Sequence, residues 1–101
     1  MTATPKALSR ADLPSSPGTL YTVPGSTTTI VSNIVICNHD SVTRTVTLSL
    51  DGVALLSSQA VDPGAPVCLD IKQVLAATKT ITGSASAGSA VSCHISGTEV
   101  A

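Results

Sequence analysis

His39, Asp40 and Ser41 stand side by side, and together they carry the three side-chain types of a nucleophilic relay. Such a relay draws its nucleophile, base and orienting acid from separate elements, so that each side chain reaches the next. Three consecutive residues of one polar segment, Asn38-His-Asp-Ser41, cannot converge in that way, and they are read as a plain turn. Cys37, His39, Cys68, Cys93 and His94 are the donors a metal would use. A zinc site needs about four converging ligands. No CxxC or HxxxH spacing occurs, and Cys93 and His94 are adjacent, so on a strand they point to opposite faces. The expectation is buried thiols and surface imidazoles. Gly83-Ser-Ala-Ser-Ala-Gly88 has the outline of a phosphate-binding loop, but Ser89 stands where the lysine belongs. Neither of its serines is flanked as a nucleophile elbow requires. The carboxylates Asp12, Asp40, Asp51, Asp62, Asp70 and Glu99 fall mostly at turns or in the N-terminal segment and form no evident acid/base pair. No catalytic, cofactor-binding or metal-ligating residue is predicted, and the chain is expected not to be an enzyme.

The elements that would hold these side chains are strands. The stretch Thr27-Thr-Thr-Ile-Val-Ser-Asn-Ile-Val-Ile-Cys-Asn38 is the longest run dominated by β-branched residues. Ile34 and Ile36 point one way and Val35 and Cys37 the other, which predicts a central strand covered on both faces. Arg44 to Leu50 alternates, with Val46, Leu48 and Leu50 inward, and Asp51-Gly52 closes it into a tight hairpin with Val53 to Val61. Thr19 to Val23 is a short strand, followed by a Pro24-Gly25 turn with the left-handed conformation at Gly25. Pro66 to Ile71 places Val67, Leu69 and Ile71 inward; Lys72 to Ala77 is expected to form a single helical turn, with Val74 and Leu75 plugging the core. Lys79 to Ala87 and Ala90 to Ala101 complete the set, with Ile81, Val91, Cys93 and Ile95 inward. Seven or eight short strands separated by turn signals predict an all-β fold, an antiparallel β-sandwich or a jelly-roll-like barrel, over residues 18–101.

Residues 1–17 read differently. Pro5, Pro14 and Pro17 oppose regular pairing, and Leu8 and Leu13 are the only large apolar groups among small polar ones. An extended N-terminal arm is expected there, ordering against a partner. Its contact residues would be Pro5, Lys6, Leu8, Arg10, Leu13 and Pro14.

Composition sets the class of partner. At 101 residues this is one domain, with one Tyr and no Phe or Trp, so its core must be built from Val, Ile, Leu and Ala. Charged residues make up 11% against about 25% for ordinary soluble domains, and Ser and Thr together number 28, so the exposed surface is largely neutral hydroxyls. A small core under such a surface predicts self-association or docking on other protein. The net charge of −1 and the lack of a basic patch argue against nucleic acid. No apolar run approaches a membrane span, and Met1 to Gly18 lacks the apolar core of a secretory signal, so no membrane partner is expected and the three cysteines should be reduced.

Four segments carry a family resemblance: Leu20-Tyr-Thr-Val-Pro24, Ile34-Val-Ile-Cys-Asn38, Leu48-Ser-Leu-Asp-Gly52 and His94-Ile-Ser-Gly97. In these the chain resembles small β-sandwich virion structural proteins of tailed bacteriophages, over roughly residues 19–100. The resemblance implies a structural part of the particle, made in the bacterial host cytoplasm and carried on the capsid surface. The leading expectation is a capsid decoration (cement) protein that binds and stabilises the assembled major-capsid shell. Its partners would be the major capsid protein or other virion proteins, and it would assemble as a homotrimer. The alternative is a tail- or fibre-associated module that binds a host-surface ligand. The motifs are turn-and-strand motifs, and no catalytic or cofactor residue transfers with them.

Overall fold

The computed structural model describes residues 3–101. It is an all-β sandwich of two antiparallel sheets. The strands are β1 (Ala3–Asp12), β2 (Gly18–Thr22), β3 (Thr28–Asn38), β4 (Arg44–Leu50), β5 (Val53–Val61), β6 (Val67–Leu69), β7 (Gln73–Leu75), β8 (Thr80–Ala85) and β9 (Val91–Val100). The first sheet runs β1-β9-β3-β6, with β7 beside β6 on the same flank of β3; the second runs β2-β8-β4-β5. Two separate sheets settle the choice between sandwich and barrel.

Alternation along the strands determines what lies between the sheets. Ile34 of β3 faces Ile95 of β9, and Ile36 faces Cys93, all of them buried. From the second sheet, Val46, Leu48 and Leu50 of β4 and Ile81 of β8 meet them in one apolar cluster. Each such aliphatic side chain contributes about 1.5–3 kcal/mol when fully buried. The outer face of β3 departs from expectation. Val35 and Cys37 are half-buried, so β3 is central within its sheet but covered by another layer on one face only.

The turns follow local chemistry. Leu50 pairs with Val53 across Asp51-Gly52, whose φ angles are 54° and 76°. Two consecutive positive values match the twist of the flanking strands and are tolerated by Asp and Gly. After β2 the left-handed residue is Ser26, at φ 58°, rather than Gly25.

Two further expectations change. Residues 73–75 form β7, not a helical turn, and pair with residues 29–31 of β3. Alternation then parts the two residues expected to plug the core together: Leu75 is buried, while Val74 is 67% exposed. Residues 3–12, expected as an arm awaiting a partner, are extended but pair with β9 of the same chain from Ala3↔Val100 to Asp12↔Ser92. The prolines did not prevent this because β1 is an edge strand, where a missing N–H need not break the sheet. Leu8 and Leu13 lie in the sandwich's own core.

Candidate functional site

The turn that holds the relay-type side chains is built around Asn38, which ends β3 and is buried. Its side-chain amide donates to the carbonyls of Val42 and Val61, each at 2.8 Å, and its Oδ1 accepts from the Asp40 backbone N–H at 2.8 Å. One side chain thereby ties the β3–β4 turn to the end of β5. Asp40 accepts from Arg44 Nε at 2.9 Å and Nη2 at 2.6 Å, while the Ser41 N–H donates to it at 2.7 Å. The Arg44 guanidinium, followed by the Ser41 N–H, holds the Asp40 carboxyl below the usual carboxylate range. His39 Nε2 lies 3.1 Å from Asp12 Oδ1 at the end of β1. The His39 and Asp40 side chains thus take different partners, Ser41 contributes its backbone N–H, and the three form no relay. Their arrangement closes a turn.

The metal-type donors are dispersed. Cys93 is buried, Cys37 half-buried and Cys68 exposed, and all three are free thiols. Burial pushes the Cys93 thiol up to about 11, which leaves it protonated and unreactive near neutral pH. His94 is exposed on the outer face of the first sheet, opposite Val35. Among the described residues no three His, Cys, Asp or Glu side chains converge to hold a metal ion, and no concave pocket opens.

A second polar cluster, not anticipated from sequence, joins the two sheets at one end of the sandwich. The Tyr21 hydroxyl donates to a Glu99 carboxylate oxygen and accepts from the Thr29 hydroxyl at 2.9 Å, while Lys6 Nζ lies 3.4 Å from the other Glu99 oxygen. Burial, reinforced by Glu99, raises the Tyr21 phenol above its ordinary value; the hydrogen bond from Tyr21 lowers the Glu99 carboxyl. The one aromatic side chain of the protein is therefore interior.

The six residues expected at a partner interface divide. Leu8 and Leu13 are 7% and 0% exposed and face their own core. The Leu13 N–H donates to Val91 O at 2.8 Å, and Pro14 O accepts from the Ala85 N–H at 2.9 Å, so this segment crosses between the sheets as part of the fold. Pro14 is half-buried, whereas Pro5, Lys6 and Arg10 are exposed along β1. What the fold presents outward is instead a hydroxyl surface. On the second sheet Thr19 faces Thr82, Thr82 faces Ser49, and Thr47 faces Ser84, all on the side away from the core. Period-two alternation of Ser and Thr along β4 and β8 is the sequence signal for this face.

No known protein family matches the chain, and no curated protein does. Among solved structures, it is similar to two crystal structures of a pentameric capsid protein isolated from metagenomic phage sequences, each 19% identical over 89% of this chain with a TM-score of 0.39. The matches cover 57% and 59% of those proteins, so the chain spans less than two thirds of their length.

Proposed function

We propose that this chain is a structural subunit of a bacteriophage virion, a capsid decoration protein that binds and stabilises the assembled major-capsid shell. The observation that carries the reading is the neutral outer face of the second sheet, where Thr19, Thr82, Ser49, Thr47 and Ser84 form a field of hydroxyls with no charge among them. Such a face can lie against another protein surface without stripping water from ions, which costs far more than desolvating a hydroxyl that finds a new partner. The four-segment resemblance to small virion proteins supports the same role. The chain acts without catalysis, as a non-enzymatic part that self-associates on the shell as a trimer.

The reading of a tail or fibre module that grips a host-surface ligand is weaker, because aromatic side chains anchor most such contacts and Tyr21 is buried and fully engaged. Co-sedimentation of the purified protein with undecorated shells tests the proposal, with imaging of assembled particles to locate the density. Saturable binding and density on the shell surface are expected. Density confined to the tail, with no binding to shells, would overturn the decoration role. Threonine-to-lysine changes at positions 47 and 82 should weaken shell binding about tenfold or more.

A further inference from the structure

Few side chains hold β1 to the rest of the sandwich, and each of them meets a fitted counterpart. Eight of its ten residues are exposed, and Leu8 is the one buried. Among the described residues β1 pairs with β9 alone. Leu8 lies over Gly97, where an added Cβ would come within 3.0 Å of Leu8 Cδ1, so the missing side chain on β9 makes the room that Leu8 fills. Lys6 Nζ stands 3.4 Å from Glu99 Oε1, and at the far end of the strand Asp12 Oδ1 stands 3.1 Å from His39 Nε2. The register step between Ala7 and Ser9 belongs to the same fit. Beyond Leu13, which is fully buried, the chain passes to β2 through Pro14-Ser-Ser-Pro17 and bends at Ser15 and Ser16, both exposed. Ser16 precedes a proline, which disfavours the α region there and drives the residue toward extended backbone.

We propose that β1 is exchanged between copies of this chain: in a pair of copies each β1 leaves its own β9 and pairs with the β9 of the other, with Ser15 and Ser16 as the hinge. The occupant of the vacated slot is fixed by its shape and charge. A leucine must fall over Gly97, a cation beside Glu99 and a carboxylate beside His39, at the spacing that Lys6, Leu8 and Asp12 provide. The ladder between them must carry one register step at the same place. β1 of another copy brings all of these. Every contact given up within one copy is regained in the exchanged pair, so exchange is a low-cost route to association. Two terms separate the states: the hinge, bent in the single copy and extended between two, and the entropy of association. Pro17 favours the extended hinge. Exchange is a property of the free protein and stands apart from the virion reading.

The position of a cross-link tests it. Arg10 and His94 face each other across β1 and β9, and both are exposed. In a background of Cys37→Ser and Cys68→Ser, one full-length chain carries Arg10→Cys and a second carries His94→Cys. The two are mixed at about 0.5 mM, warmed to just below the thermal midpoint, cooled and treated with oxidised glutathione. A disulfide joining position 10 of one chain to position 94 of the other is expected, read by mass spectrometry of the digest. The wild-type chain taken through the same warming should give a dimer that persists for hours on cold dilution, because each strand must be withdrawn before the copies part. Pro17→Ala should reduce the dimer fraction. The proposal is overturned if the mixed chains form no such disulfide while one chain carrying both Arg10→Cys and His94→Cys closes its own. A dimer that separates at once on cold dilution, or one undiminished by Pro17→Ala, would overturn it as well.

Discussion

The phenol of Tyr21, on β2 in the second sheet, donates its hydrogen bond to the carboxylate of Glu99, on β9 in the first. Most of the contact between the sheets is aliphatic and non-directional. This bond, with the Thr29 hydroxyl behind it, is a directional polar link between them. Tyr21→Phe keeps the ring and removes the link, leaving the buried Thr29 hydroxyl without its partner. The thermal midpoint should fall by about 4–8 °C, read by circular dichroism.

The same link makes stability depend on pH at both ends. The Glu99 and Asp40 carboxyls are lowered in the folded state, so their contribution is complete above the ordinary carboxylate range. It is lost as pH falls through their depressed values. The Tyr21 phenol is raised, so the unfolded chain ionises first and stability declines above about pH 10. The buried Cys93 thiol, raised to about 11, adds to the alkaline loss from about pH 8.5, so a plot of thermal midpoint against pH should be flat from about pH 5 to 8 and fall on both sides. In Tyr21→Phe the alkaline decline should become shallower, with the buried Cys93 thiol, raised to about 11, sustaining what remains, and the acid decline should become shallower while Asp40 sustains what remains.

Asn38 satisfies three backbone groups with one buried amide, so it should tolerate almost no replacement. Asn38→Ala leaves the Val42 and Val61 carbonyls and the Asp40 N–H without this partner, at a cost of about 3 kcal/mol. Asn38→Asp should be no better, because a carboxylate cannot donate to two carbonyls. Urea unfolding of both variants gives the comparison, and a loss below about 1 kcal/mol in either would show that water replaces the amide.

Two glycines face the core with different tolerance. A Cβ on Gly97 would sit 2.2 Å from the Ile30 carbonyl oxygen, whereas one on Gly83 would sit 2.6 Å from the tip of Leu48. Backbone in a ladder cannot retreat, but a leucine methyl can rotate away. Gly83→Ala should cost about 1–3 kcal/mol, and Gly97→Ala clearly more, by forcing β9 from β3. Equal losses in parallel denaturation curves would contradict this ranking.

Removing the N-terminal segment should unfold the domain rather than merely trim it. Deletion of residues 1–12 strips an edge strand and buried Leu8; deletion of residues 1–17 also removes Leu13, which is fully buried. Leu13→Ala alone should cost about 2–5 kcal/mol. The shorter deletion should lower the thermal midpoint and the longer one abolish the cooperative transition. An unchanged midpoint for the longer deletion would mean that β1 and Leu13 add nothing to the fold.

The contrast between local and long-range information runs through individual elements. β4 and its hairpin were legible because their determinants are adjacent in sequence: Val46, Leu48 and Leu50 alternate, and Asp51-Gly52 supplies the two positive φ angles of the turn. The same alternation marked Ile81, Val91, Cys93 and Ile95 as core. β1 was not legible, because a proline-bearing segment becomes a strand only when a partner edge exists, and β9 lies at the other end of the chain. The fate of Val74 and Leu75 also waited on pairing: register against β3, not local apolarity, decided which one turned inward. Tyr21, Thr29 and Glu99 carry no motif, and 78 residues separate the tyrosine from its acid. Their link exists because two sheets stack with these positions at one end.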